Sequence, residues 1–196
     1  CGDHDGKIWL AQFESPYVLE PATGGISKMD LTPYDHGGAA KRSLYCVFED
    51  SRHRMWVGTD KGLFLYIQAT HSFLQYRHDS LDGSSLINDN AKALAEDQDG
   101  HLWVGTENGL CMMRPDEKGF VRMQEGMKTA LAGANINAIA PDKDGMLWIA
   151  TMSGLYILDP RTGHSVSYTP EEGNVHSLTS RAIRSIYIDR NGIYWL

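Results

Sequence analysis

Two kinds of residue in this chain have the chemistry to bind or catalyse: carboxylates paired two apart before a glycine, and eight histidines. Asp3 and Asp5 precede Gly6, Asp97 and Asp99 precede Gly100, and Asp142 and Asp144 precede Gly145. The D-x-D-G order is how a calcium loop opens, but calcium takes six or more oxygens, including a later bidentate acid. Here each run passes straight into an apolar stretch. The same residues suit turns, in which Asp side chains bond nearby backbone and Gly accepts positive φ. The histidines are His4, His36, His53, His71, His78, His101, His164 and His176. No two have zinc-site spacing along one strand or helix, and no Cys accompanies them at ligand spacing. G-x-S-x-G is absent, as is a Gly-rich loop leading into a helix. The sequence therefore supplies no catalytic residue, and neither a metal nor a cofactor is expected.

A further polar set emerges when the chain is aligned on its tryptophans. Eleven residues before four of them stand Tyr45, Lys92, Asn137 and Arg184, polar residues inside otherwise apolar runs. Two residues earlier come Ser43, Asn90 and Asn135; three earlier come Arg42, Asp89 and Arg181. A tyrosine with planar guanidinium and amide groups suits hydrogen bonding to sugar hydroxyls or acidic-sugar carboxylates. A solvated channel would also require polar lining, with or without a ligand.

The alignment itself reveals the architecture. All five tryptophans, Trp9, Trp56, Trp103, Trp148 and Trp195, occupy one place in a repeated sentence, at intervals of 47, 47, 45 and 47 residues. Asp97–Leu110 reads DQDGHLWVGTENGL, Asp50–Leu63 reads DSRHRMWVGTDKGL, and Asp142–Leu155 reads DKDGMLWIATMSGL. Shorter copies are DHDGKIWLA at Asp3–Ala11 and DRNGIYWL at Asp189–Leu196. A period of this length belongs to propellers or solenoids. Within one period, Ala91–Glu96, His101–Thr106, Leu110–Met113 and Phe120–Met123 read as four short strands separated by tight turns, which is one propeller blade. The corresponding runs elsewhere are Leu44–Glu49, Met55–Thr59, Leu63–Ile67 and Phe73–Tyr76, then Ile136–Ala140, Leu147–Thr151, Leu155–Leu158 and Ser165–Tyr168. Ile183–Ile188 opens the last copy, and Glu125–Ala132 reads as loop. The Trp and its apolar neighbours are expected to pack between blades.

The motif D-x-x-G-x-[LI]-W-[VI]-[GA]-T-x-x-G-L resembles the two-component regulator propeller repeat. Asp97, Gly100, Trp103, Gly105, Thr106, Gly109 and Leu110 carry the resemblance, with Asp159–Gly163, Tyr168–Pro170 and Asn174–Leu178 matching its second half. It implies an all-β propeller of four-stranded antiparallel blades, about four of them present as a fragment of a seven-bladed ring. The repeats run over about 1–36, 37–83, 84–128, 129–175 and a partial 176–196. It further implies the periplasmic sensing region of a hybrid two-component sensor kinase, with an oligosaccharide ligand. The remaining blades and downstream domains of the parent, and a second copy in a homodimer, are the implied partners. The kinase would lie outside this segment. Two other functions fit a propeller: a scaffold in a surface or secretion assembly, and a streptogramin-lyase-like enzyme, for whose metal-supported base no matching residues are found.

Composition agrees with a soluble globular segment. The net charge of −7 is spread without a basic stripe, which argues against nucleic acid. No apolar run reaches membrane-spanning length. Three cysteines make no disulfide framework. The chain starts inside one repeat, without Met or signal peptide, and stops inside another, as expected for a piece of a longer protein. In a propeller the first strand of each blade lines the axis. Tyr45, Lys92, Asn137, Arg184, Arg42, Asp89, Asn90, Asn135 and Arg181 should then gather at one mouth of it. The turns at Asp60-Lys61, Glu107-Asn108 and Met152-Ser153 should border that mouth.

Overall fold

The computed structural model describes residues 1–12, 14–31, 42–123 and 131–196. The repeat boundaries expected at 36/37 and 128/129, and residues 125–130 of the loop expected over 125–132, lie outside these residues. Strands β1 (Ile8–Gln12), β2 (Ser15–Glu20) and β3 (Gly25–Lys28) form the first blade, which begins at the Trp-bearing strand. The second blade is β4 (Leu44–Glu49), β5 (Met55–Thr59), β6 (Gly62–Ile67) and β7 (Ser72–Tyr76). The third is β8 (Ala91–Glu96), β9 (Leu102–Thr106), β10 (Gly109–Met113) and β11 (Phe120–Arg122). The fourth is β12 (Ile136–Pro141), β13 (Leu147–Thr151), β14 (Gly154–Leu158) and β15 (Ser165–Tyr168). Consecutive strands pair antiparallel throughout. The fold is an all-β propeller segment.

The last copy departs from expectation. Only β16 (Tyr187–Ile188) and β17 (Tyr194–Trp195) form a ladder there, where a strand over Ile183–Ile188 was expected. In the complete blades, the residue twelve before the Trp pairs with the Thr three after it, as Leu44 does with Thr59 and Ala91 with Thr106. After Trp195 the chain supplies only Leu196, so residues 183–186 have no strand to pair with. Ile183 is nonetheless buried against Ala150 and Leu155 of the fourth blade.

The blades hold together through their tryptophans. Trp9 packs with Met55, Trp56 shares a cluster with Leu102 and Val104, and Trp103 shares one with Leu147 and Ile149. Each indole is also held by the carboxylate six residues before it. Trp9, Trp56, Trp103 and Trp148 donate their Nε1–H to Asp3, Asp50, Asp97 and Asp142, each at 2.8 Å, and Trp195 does so to Asp189 at 3.2 Å. The other oxygen of Asp97 accepts the Asp99 and His101 backbone N–H groups at 3.0 and 2.9 Å. The Asx turn and the buried indole are thus satisfied by one side chain. Trp9, Trp56 and Trp103 are buried and Trp148 is partly buried, whereas Trp195, on the incomplete last copy, is 59% exposed.

The Thr of the repeat closes the next turn. Thr59, Thr106 and Thr151, all fully buried, donate to the carbonyls of Gly62, Gly109 and Gly154 at 2.8–2.9 Å and accept from the backbone N–H two residues on. Those glycines sit at φ of 110°, 126° and 146°. The small residue after the Trp has a different purpose. A Cβ on Gly105 would lie 2.5 Å from Ile136 Cγ2 of the next blade, so glycine here sets the interblade approach. Burial pushes the thiols of Cys46 and Cys111 up to about 12, in keeping with apolar packing.

Candidate functional site

The inner strands β4, β8 and β12 lie side by side, and each carries one irregularity at the same place. Register shifts fall between Leu44 and Cys46, Ala91 and Ala93, and Ile136 and Ala138. The extra residues are Tyr45, Lys92 and Asn137. A bulge leaves one residue outside the ladder and re-aims its side chain. A polar residue can therefore interrupt an apolar strand three times in register without meeting the core.

These residues form a hydrogen-bonded belt from blade to blade. The Tyr45 hydroxyl donates to Asn90 Oδ1 at 3.2 Å, and Asn90 Nδ2 donates to Glu107 Oε2 at 2.8 Å. Lys92 Nζ donates to Asn135 Oδ1 and Asn137 Oδ1 at 2.6 and 2.8 Å. Asn137 Nδ2 donates onward to the Ile183 carbonyl at 2.8 Å. Partial burial lowers the pKa of Lys92; the Glu107 carboxylate works against that shift and the Arg184 charge adds to it. Burial, with Asp60 and Glu107 nearby, raises that of Tyr45, which is 40% exposed.

The turns at Asp60, Glu107 and Met152 adjoin the residues that lead into the inner strands. Asp60 N–H donates to the Ser43 carbonyl at 3.0 Å, Glu107 N–H to that of Asn90 at 3.2 Å, and Met152 N–H to that of Asn135 at 3.1 Å. Other members of the candidate set have structural positions. Arg42 is only 3% exposed; its Nη1 donates to the Leu31 carbonyl at 3.0 Å and its guanidinium lies 5.0 Å from the Phe64 ring centroid. It belongs to the packing between the first and second blades and does not open on the mouth, since an Arg three residues before the bulge points back into the blade. Asp89 is a corner clamp, accepting from the His78 N–H at 2.6 Å and from Arg77 Nη2 at 3.1 Å. Arg181 and Arg184 are exposed on the incomplete fifth copy. Sequence reasoning missed Glu107 as a member of the belt, although its turn was placed at the mouth. Its contact with Asn90 spans 17 residues and has no local signal.

Antiparallel blades packed through a repeated Trp, around bulged inner strands that carry a polar belt, define a β-propeller segment. The two component regulator propeller family model matches residues 39–61, 85–108 and 130–153. Among solved structures, the chain is similar to the extracellular domain assigned to a hybrid two component system of B. thetaiotaomicron, with TM-score 0.79 and 23% identity over 96% of this chain and 24% of that one. It also superposes on virginiamycin B lyase of Staphylococcus aureus, with TM-score 0.73 and 14% identity over 100% of this chain and 60% of the lyase. PorZ, a surface component of the type-IX secretion system of Porphyromonas gingivalis, gives TM-score 0.72 and 17% identity over 96% of this chain and 29% of its own. At these identities the likeness is one of fold, and the three proteins' differing descriptions show how little fold alone assigns. No curated protein matches the chain in sequence.

Proposed function

We infer that this chain is a sector of the extracytoplasmic ligand-sensing propeller of a hybrid two-component signal transduction protein, and that its inner mouth binds an oligosaccharide. One observation supports this above others. The bulged residues Tyr45, Lys92 and Asn137 present a phenol, an ammonium and an amide along adjacent strands, with Tyr45 bonded to Asn90 and Lys92 to Asn135 and Asn137 of the next blade. Such a row can exchange its internal bonds for those of sugar hydroxyls at small cost in side-chain ordering. The repeat family and the likeness to an extracellular domain of a hybrid two component system support the sensor setting. The chain spans 24% of that protein, so the remaining blades, a membrane anchor, a homodimer partner and the kinase belong to the proposed parent. Signalling in that setting is differential binding: ligand favours one arrangement of propellers and biases the equilibrium across the membrane.

A second reading, a scaffold propeller in a surface or secretion assembly, is favoured only by the likeness to PorZ. The two are separated by an oligosaccharide panel screened by thermal shift against this chain. Sensing predicts that at least one oligosaccharide raises the melting temperature, and that Lys92→Met weakens its binding about tenfold, the loss of one charge-assisted hydrogen bond. If no oligosaccharide shifts the chain, and the parent reading frame carries no membrane helix or kinase, the scaffold reading replaces it.

A further inference from the structure

Where the first and second blades meet, at the end of the inner strand β4 opposite Tyr45, the fold brings together residues that lie far apart in sequence. Among the described residues, His4, Glu49 and His53 place one ligand-capable atom each within 4.8 Å of the others. His4 Nδ1 is 2.6 Å and His53 Nδ1 is 3.5 Å from Glu49 Oε1, and the two imidazoles stack with centroids 4.1 Å apart. Both rings line a cavity of about 420 Å³ whose walls include Asp3, Trp9, Tyr66 and His71.

The repeat provides an internal control for this cluster. At the next interface the position of His4 is Ser51 and that of Glu49 is Glu96. Ser51 donates its N–H and its hydroxyl to the Glu96 carboxylate at 2.6 and 2.8 Å. His4 likewise donates its N–H to Glu49 Oε1 at 3.1 Å, so an interblade clamp accounts for Glu49 and for the backbone of His4. It does not account for His53. The same position is Gly6, Gly100, Gly145 and Gly192 in the other four copies, all at φ of 77–82°. His53 holds φ of 62° there, a left-handed conformation that L side chains adopt at a cost. In this one copy of the repeat an imidazole replaces glycine against that cost, and it stacks on the other imidazole at the same carboxylate.

We propose that His4, Glu49 and His53 bind a divalent first-row metal ion of the zinc class, bridging the first and second blades, with a further coordination position open to the cavity. Two neutral imidazoles and a carboxylate make a three-ligand set of the kind zinc takes with a water in the fourth place. Ligand atoms about 2.1 Å from a tetrahedral ion lie about 3.4 Å apart. The His53–Glu49 pair already has that separation at 3.5 Å, and the His4 ring needs to retreat by less than about 1 Å. Its backbone bond to Glu49 holds the interface while the ring turns. Two nitrogen donors exclude calcium and magnesium as the preferred ions. The other candidate triad, Asp97, Asp99 and His101, is a weaker one. Asp97 is committed to Trp103, His101 and its own turn, as its counterparts in the other copies are to theirs.

The test is isothermal titration of the chelator-treated 196-residue chain with Zn²⁺, beside His4→Ser and His53→Gly. Both substitutions install the residue that another copy of the repeat carries at that position, so the fold is kept. Circular dichroism and melting of each variant without metal verify this. The wild-type chain should bind one Zn²⁺, rise in melting temperature with it, and show Co²⁺ absorption bands of a low-symmetry nitrogen–oxygen site. Each variant should weaken Zn²⁺ binding by about tenfold or more and lose the Co²⁺ bands. Failure of the wild-type chain to bind Zn²⁺, equal binding by the His4→Ser/His53→Gly double variant, or a preference for Ca²⁺ would each overturn the proposal.

Discussion

In the last four copies of the repeat the first Asp, at Asp50, Asp97, Asp142 and Asp189, meets three demands with two oxygens: two turn N–H groups and one indole. For Asp97, burial alone would raise the pKa. The hydrogen bonds from the Trp103 indole and the His101 N–H, with the His101 ring beside it, outweigh burial and hold the carboxyl below the usual range. Asp142 is shifted the same way, with Trp148 and the Met146 N–H as the main opposing donors. A folded pKa below the unfolded value stabilises the fold above about pH 4, and that contribution is lost as pH falls through the folded value. Chemical denaturation of Asp97→Ala at neutral pH should therefore show a loss of about 3 kcal/mol, since a buried indole N–H and two turn N–H groups are orphaned. Asp97→Asn keeps an acceptor but not the charge; it should lose less and show a shallower dependence of stability on pH below about 4. An unchanged acid slope would mean the carboxylate is equally satisfied in the unfolded chain.

At the level of the strand, two departures from regularity position everything else: the inner-strand bulge and the left-handed glycine of the T-x-x-G turn. Gly154 sits at φ of 146°, and a Cβ there would lie 2.6 Å from the Tyr168 carbonyl on the outer strand. Gly154→Ala should cost about 2 kcal/mol or more, combining backbone strain with a displaced strand. Gly83, with nothing within 4 Å of a built Cβ, is the matched control and should stay within about 0.5 kcal/mol on substitution by Ala. The bulge could not be read from the sequence, because periodicity reports alternation and a single inserted residue in a six-residue strand looks like noise. What the sequence did show was its consequence, a polar residue eleven before each of four tryptophans.

For the whole molecule, the relevant fact is that a blade buries its tryptophan only with the next blade in place. Trp56 and Trp103 have both neighbours and are almost fully enclosed, whereas Trp195 is 59% exposed, near Ile193 and Leu196 that are half exposed themselves. Acrylamide quenching should resolve two classes of fluorophore, an accessible minority and a shielded majority. Trp195→Phe should remove most of the accessible class and leave the melting temperature within about 2 °C, as the ring packs on little. Persistence of the accessible class in that variant would mean that the other blades open in solution.

Blade number, strand order and the packing of the tryptophans could be read from residue types at one period, because each blade is a local antiparallel meander whose contacts span fewer than fifty residues. The polar column, the turns beside it and the all-β class were legible for the same reason. Arg42, placed with that column by spacing, proved to be packed on Phe64, since spacing records position along a strand and not the direction in which a side chain leaves it. The Asp–Trp hydrogen bond and the meeting of His4 with His53 at Glu49 had no local signature. Both depend on how strands or blades are set against each other in space, and the second joins residues 49 positions apart. The sequence determined the repeating unit, while the tertiary structure alone decided what the interfaces between units bring together, because those distances are set by interblade packing and not by the chain.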